Sequence, residues 1–518
     1  MSTPAPASSA KKMRPATVCR VGAALLLWLA MTGWLIRFEA CPERFTGRFE
    51  GYRDLFRGGV LVRSSWMRIL ANGFPVGYSH TEIDVNEKSP AEHYRIDSEM
   101  ELELNILGQQ QRIHTRLLVH LDVLSRLQRF TFSLHSKAYE TEILGIRAAG
   151  DQFRVTLNAG GTIRKMNLSI PDDVMLYSPM LEQALVALEP GQSRVFKTLD
   201  PTSMAVADVR VTADRRETVT LLGRTQSATV LSSDYQGMII WSWINSDGAL
   251  LRQETPLGWI MEACAPEDAL SYKAKARQGL QPELLAAASV PADKAIPAPR
   301  QVRRLELLLR GVDVPAGDLT TSRQTVLASD TNGIRLRIDA LEWPGEPGAV
   351  DRIAHSNDLA ATAFIQSDDP AILARARAIT AGITNTAAAA QAINTWVFEH
   401  VRKNPAASLP SAAAVLEQLE GDCNEHTYLA VALLRAVGIP AKVKAGLVYM
   451  NEAFYYHAWP AVFTGGQWIE MDPTFGQPVA DATHLALAEG ELAGQTRLLR
   501  FIGRLSIGIL TVEGNTAP

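Results

Sequence analysis

The sequence predicts a multidomain chain: an N-terminal transmembrane helix, an antiparallel β-rich domain, and a C-terminal part where helices meet a hairpin. Three observations predict it. A charge-free run of sixteen residues, 21–36, follows a basic N-terminus. Strand-like alternation then recurs from about residue 65 to about residue 272. Beyond about residue 365 the apolar spacing turns helical and ends in an aromatic hairpin.

The 518 residues leave room for more than one domain. With 47% hydrophobic and 20% charged residues the chain is globular, neither fibrous nor disordered. A net charge of -4 and the lack of a basic stripe interleaved with aromatics argue against a nucleic-acid binder. Four cysteines, Cys19, Cys41, Cys264 and Cys423, are too few for a disulfide framework.

Lys11, Lys12, Arg14 and Arg20 precede "VGAALLLWLAMTGWLI", and Arg37, Glu39 and Glu43 follow it. That asymmetry predicts a tail over 1–17 in the cytoplasm and a single-pass anchor over 18–38 in the inner (cytoplasmic) membrane. The bulk of the chain is then extracytoplasmic, or periplasmic. The alternative is a cleaved signal peptide, although Phe38 stands where a small residue is needed before the cut. Outside the membrane Cys41 and Cys264 are free to pair, but their spacing does not fix their geometry.

The β-rich domain is placed at 60–275. In "MELELNIL", Met100, Leu102, Leu104 and Ile106 share one face and Glu101, Glu103 and Asn105 the other. "RFTFSLHS", "FRVTL", "DVRVTA" and "MIIWSWI" continue the pattern between "NAGG", "EPGQ" and "NSDG" turns, so one large antiparallel sheet or a sandwich is expected. Only "PMLEQALVAL" reads as a short helical patch. His114, His120 and His135 fall in strands at irregular spacing and read as sheet residues rather than ligands. The pattern loosely resembles the lipoprotein-carrier-like curved sheets of bacterial envelope proteins.

Alanine and proline mark 281–301 as a linker, and strands at "RRLELLLRGV" and "IRLRIDALEW" make a small intermediate β region over 302–360. The last domain is placed at 365–515. Asp369-Pro370 opens a helix, and Ile393, Trp396, Val397, His400 and Val401 recur at helical spacing as core.

In "GDCNEHTYLAVALLRAVGIPAKV", Asp422 or Cys423 begins a helix with Tyr428, Leu429, Ala432, Leu433 and Ala436 as its stripe; Gly438 and Pro440 stop it. Cys423 therefore sits at a helix N-terminus, where the dipole and unpaired N–H groups are expected to lower its pKa and receive an oxyanion. "AFYYHAWPAVFTGGQWIEMD" is a hairpin. A two-residue loop at 464–465 sets His457 opposite Asp472, one at 465–466 makes them diagonal neighbours, and a three-residue loop separates them. In the first two registers Asp472 orients His457, which activates Cys423. Pro460 removes a ladder donor and predicts an edge, or one-sided pairing, there.

The Gly-x-Cys helix with "LLRAVGIPAKVKAGL", then "HAW", then "WIEMDPT", over about 370–485, resembles the transglutaminase-like superfamily of papain-related thiol enzymes. The resemblance implies an α+β fold in a membrane-anchored bacterial envelope member. It makes Cys423 the nucleophile, His457 the general base and acid, and Asp472 the orienting carboxylate. It also implies acyl transfer through a cysteinyl thioester, with a peptide or protein of the cell envelope as substrate. Hydrolysis of a peptide or isopeptide bond is the expected outcome, with cross-linking or deamidation, and a non-catalytic peptide-binding scaffold, as alternatives. Zinc on Cys423, His426, His457 and Asp472 is the rival chemistry, but Cys423-x-x-His426 has no matching second half. No calcium loop is present, so neither metal nor cofactor is expected. Neither Trp396 nor Gln418 sits in a motif that assigns a second oxyanion donor. Asp481 and His484, in "ADATHLAL", resemble an extension of some bacterial members and take no role from the sequence.

Overall fold

The computed structural model describes residues 31–32, 49–57, 64–106, 109–136, 139–176, 188–221, 223–278, 289–312, 314–343, 353–404 and 409–514. Between Ser64 and Ala263 the chain forms one 15-stranded sheet. Eight strands run hairpin by hairpin from Ser64–Ala71 out to Thr162–Ser169. Trp259–Ala263 returns to pair with Ser64–Ala71, and the sheet continues from it to Val174–Leu176 at the other edge. All neighbours are antiparallel except that last strand, which lies parallel to Ser193–Asp200. Alternation explains the faces. Leu102 and Leu104 pack with Ile69, Val76, Met100 and Ile106 on one side. Glu101 points the other way, to Lys273 (2.5 Å) and Arg277 (2.8 Å) of the helix Pro266–Gln278. His114 and His120 lie in the strand Gln109–Leu121 and His135 in Leu127–His135.

The transmembrane helix of the expected fold class is corrected. No helix among the described residues is long and apolar enough to cross a membrane. The longest of them, Thr386–His400, has 15 residues, about 22 Å against a hydrocarbon core of about 30 Å. The segment proposed to span, 18–38, lies outside the described residues apart from Met31 and Thr32. So do Cys41, with its suggested pairing to Cys264, and nearly all of the "PMLEQALVAL" patch.

The expected linker, from residue 289 on, is docked rather than free. Val290–Pro291 pairs with Phe454 and Ala453, and the Ile296 N–H donates to the Tyr449 hydroxyl (2.9 Å). An extended Ala/Pro stretch can lie along a sheet edge because it needs few ladder donors of its own. The strand Val302–Arg310 then pairs on one side with Gly333–Asp339 and on the other with Ser506–Gly514, which ties this region to the end of the described chain.

The C-terminal unit is built from Pro370–Ile379 (α1), Thr386–His400 (α2), Ala412–Gln418 (α3) and Cys423–Ala436 (α4), followed by Ala441–Met450 (β1), Ala453–Thr464 (β2), Gln467–Glu470 (β3) and His484–Glu489 (β4). The Asp369 carboxylate caps α1 by accepting the Ala371 N–H at 2.8 Å. α4 packs against α1, α2 and α3 and lies on β1 and β2. Tyr428 through Leu434 are all buried, so α4 is a central helix enclosed on nearly every side, not one with a single apolar stripe. One contiguous apolar cluster joins Phe130, Phe153 and Leu199 of the large sheet to Ile372, Ile393, Val415 and Tyr428 of these helices.

Candidate active site

The start of α4 is fixed by its own side chains. The Asp422 carboxylate accepts the Asn424 N–H (2.9 Å), and the Glu425 carboxylate folds back to accept the Asp422 N–H (2.9 Å), a closed capping box. That fold-back requires glycine at 421: φ is +154° there, and an added Cβ would lie 2.3 Å from the Glu425 Cβ. At the other end Gly438 takes φ +80° and Ile439 N–H returns to the Leu434 carbonyl (3.0 Å), so the helix stops before Pro440.

The hairpin register follows from its two glycines. Gly465 and Gly466 have φ of +57° and +78°, as a type I′ turn demands, and Thr464 pairs with Gln467. His457 and Asp472 are then diagonal neighbours on one face, the second of the expected registers. β2 is an inner strand, with β1 on one side and β3 on the other; Pro460 still accepts the Met471 N–H at 2.9 Å through its carbonyl. Of the two expectations at Pro460, the edge is absent, while the β3 ladder ends one residue short of it, at Ala461–Glu470, and leaves it in register with Val443 of β1 alone.

Of the three expected site residues, His457 and Asp472 meet directly, with His457 Nε2 2.8 Å from Asp472 Oδ2. Cys423 is near them through Ala458, the residue after His457, whose backbone N–H favours the thiolate form of Cys423. Asp472 is fully buried and meets four donors: the Thr474 N–H (2.7 Å) and Phe475 N–H (3.2 Å) on Oδ1, and His457 Nε2 and His484 Nε2 (2.9 Å) on Oδ2. Burial alone would raise its pKa, but His457 and His484 outweigh burial and hold the carboxyl well below the usual carboxylate range. An ionised carboxylate can only accept. His457 therefore carries its proton on Nε2, and Nδ1 is the nitrogen left bare to receive one.

The thiol departs from expectation. Burial, and then the adjacent Asp422 carboxyl, push the Cys423 thiol up; the Ala458 N–H only partly offsets them. Asp422 is itself pushed up, by burial first and by Glu425 next. A helix N-terminus occupied by its own two acidic side chains is a weaker anion site than bare N–H groups would be. Both effects favour the protonated thiol.

Sequence reasoning assigned no role to the outer partners. His484 shares the Asp472 carboxylate with His457. Asp481 lies beyond it, accepts from Thr483 N–H (2.7 Å) and Gln477 Nε2 (2.9 Å), and forms an ion pair with Arg300 Nη1 (3.0 Å). The Asp-x-x-His spacing just after "MDPT" was the available signal. Trp459 donates from its indole to Glu470 Oε2 (2.8 Å), and Arg323 lies 3.5 Å from the same oxygen as an ion pair. Phe475 stacks on the His457 ring (centroids 5.2 Å), with the Arg300 guanidinium 4.6 Å above Phe475. His426 is buried, with Nδ1 against the Asp422 carbonyl (2.6 Å) and Nε2 against the Val401 carbonyl (3.2 Å); it ties α4 to the end of α2. Trp396 is half-buried against His400 and Arg375.

The rival zinc set of Cys423, His426, His457 and Asp472 is not the one that gathers. The three-member cluster of possible ligands among the described residues is His457, Asp472 and His484, whose ligand atoms lie within 4.8 Å of one another. Each already faces another member of the set at hydrogen-bond distance, which describes a proton network.

A cysteine at a helix start, and a histidine on the strand packed against that helix whose ring is joined to a buried carboxylate, are the parts of a Cys-His-Asp constellation. Residues 373–473 match the model of the transglutaminase-like superfamily, and this part of the chain is a transglutaminase-like domain. No curated protein matches the chain. Similar solved structures include a candidate cysteine protease from Cytophaga hutchinsonii, at 20% identity over 41% of this chain and 86% of that one, TM-score 0.28. A β-barrel-like protein of the domain of unknown function DUF1849 from Brucella abortus has 10% identity over 39% and 94%, TM-score 0.29. A candidate protease from Parabacteroides distasonis has 11% identity over 80% and 70%, TM-score 0.19. Likenesses this slight carry no functional argument.

Proposed function

We propose that the transglutaminase-like domain is a thiol acyl-transfer enzyme that hydrolyses a peptide or isopeptide bond through a cysteinyl thioester. The observation that carries the reading is the 2.8 Å contact of His457 Nε2 with the buried Asp472 carboxylate, which assigns the proton to Nε2 and Nδ1 to the thiol, with Ala458, the next residue, acting on Cys423. His457 takes the thiol proton as the sulfur attacks the carbonyl carbon, and the C–S bond forms. The same proton then passes to the leaving nitrogen as the C–N bond breaks. Water, deprotonated by His457, attacks the thioester and restores the thiol. Each turnover thus consumes one water and releases an acid and an amine or ammonia. Cys423 is partly exposed, which lets water compete with an amine at the second step.

The test is to incubate the full chain with glutaminyl and isopeptide-linked peptides, with and without an added primary amine, and read products by mass. New termini or deamidated glutamine that vanish in Cys423→Ala support hydrolysis; amine incorporation would move the reading to cross-linking. Equal products from both proteins, or none from either alongside retained peptide binding, would favour a scaffold.

A further inference from the structure

The buried network around Asp472 contains a second histidine that the proposed reaction does not use. His484 opens β4 and is fully buried. Its Nε2 lies 2.9 Å from Asp472 Oδ2. Its Nδ1 lies 3.2 Å from the Asp481 carbonyl and 3.5 Å from Asp481 Oδ1. A neutral ring carries one proton and one lone pair. With the proton on Nδ1, the Nε2 lone pair would face a carboxylate that accepts from every other neighbour. With the proton on Nε2, the Nδ1 lone pair would face a carbonyl and a second carboxylate. Only the doubly protonated ring matches both sides. His426 is the internal contrast: its two nitrogens face carbonyls alone, no carboxylate, and burial lowers its pKa.

We propose that His484 is a positioning residue, a standing imidazolium that clamps Asp472 and keeps His457 a weaker base. This rests on the reading of His457 as the base. The charged groups around the ring are Asp472 from the loop after β3, Asp481 from the loop before β4, Arg300 behind Asp481, and His457 on β2. With His457 neutral, Asp472 and Asp481 balance His484 and Arg300. When His457 gains the thiol proton it becomes a cation whose ring centre is 5.8 Å from that of His484. Two cations sharing one carboxylate repel, so His457 returns its proton readily to the leaving nitrogen. A carboxylate held by an imidazolium also accepts less strongly from His457, and both effects act in one direction.

Two measurements test this. In His484→Gln the amide can still donate to Asp472, but the cation is gone. The pH profile of Cys423 alkylation by iodoacetamide should then show its His457-linked inflection displaced upward by about one to two pH units, the repulsion expected across such a separation at protein-like screening. An unchanged or downward inflection overturns the proposal. The second readout is imidazole ¹⁵N NMR of the full chain carrying Cys423→Ala, in which His457 has no thiolate partner. One imidazole should remain doubly protonated at pH 8, and its signal should be missing when His484→Gln is added. No doubly protonated imidazole at pH 8 overturns the clamp, and this count needs no His484 variant to fold. A Cys423 no more reactive than a denatured thiol would defeat the enzyme reading, while the NMR count would still decide the charge on His484.

Discussion

Asp472→Asn isolates the orienting carboxylate with almost no change of volume. Four donors converge on Asp472, and an amide offers one accepting oxygen and one donating nitrogen. If the oxygen stays with the Thr474 and Phe475 N–H groups, the NH₂ faces both imidazole Nε2 atoms. His457 must then carry its proton on Nδ1, where the thiol proton has to go, and the base is lost. If the amide turns over, its NH₂ meets two backbone N–H groups, so the first arrangement is preferred. Loss of a positioned general base lowers rates by about 10²–10⁴, and about 10³ corresponds to roughly 4 kcal/mol. Stability should fall by about 2–4 kcal/mol from the lost hydrogen bonds between charged groups. The assay is iodoacetamide capture of Cys423 at pH 7, read by peptide mapping so that buried Cys264 is counted separately, beside urea unfolding of the same protein. Capture within tenfold of wild type would refute the reasoning, because the tautomer of His457 would then not govern the thiol.

Gly421→Ala should destabilise by about 1–3 kcal/mol from backbone strain alone, since Glu425 must also leave the capping box; urea unfolding checks the loss, and Glu425→Gln, which keeps an acceptor, should be milder. Tyr139, just ahead of the large-sheet strand Glu140–Ala149, donates from its hydroxyl to the Glu420 carbonyl at 2.5 Å; Tyr139→Phe should cost about 1 kcal/mol and speed hydrogen exchange at the start of α4. The contribution of the Asp472–His484–Asp481 network to the thermal midpoint should be steady in mild acid and decline in alkali. Burial opposes both shifts, yet His457 and His484 depress Asp472, and His484 and Arg300 depress Asp481. Stability from these acids is therefore complete above their unfolded values, about 3.9, and is lost only as pH falls through the lower folded ones. For His484, Asp481 and Asp472 overcome burial and raise the pKa. Its contribution is full below the unfolded value, about 6.5, and is lost as pH rises through the folded one. His484→Gln should flatten the alkaline decline.

Local chemistry was legible in the sequence where one short stretch determines it. Asp422, Gly438 and the paired glycines at 465–466 specify a helix start, a helix stop and a turn, and the structure realises each. The hairpin arithmetic left two usable registers because turn placement shifts by one residue at no cost in pattern, and the two positive φ angles select between them. Long-range pairing was not legible. Nothing in Val302–Arg310 says that its partner lies some two hundred residues on, in Ser506–Gly514. The thiol was misjudged for a related reason: the helix-dipole argument counts N–H groups, while the outcome depends on which side chains already occupy them.

The large sheet bears on the site through that same helix start. Besides Tyr139, Gly160 in a sheet turn lies against Ala414 of α3, and Arg164 pairs with Asp368 just ahead of α1 (3.0 Å). These contacts hold the helices that pack around α4, and Glu420 is only three residues from Cys423. On the proposed reading, a protonated thiol needs its sulfur, Nδ1 of His457 and the incoming carbonyl aligned. Alignment of that kind depends on the rigidity of the α4 N-terminus. The sheet supplies part of that rigidity from outside the domain, so variants at Tyr139, Gly160 and Arg164 belong to the chemistry of Cys423 as much as to the stability of the sheet.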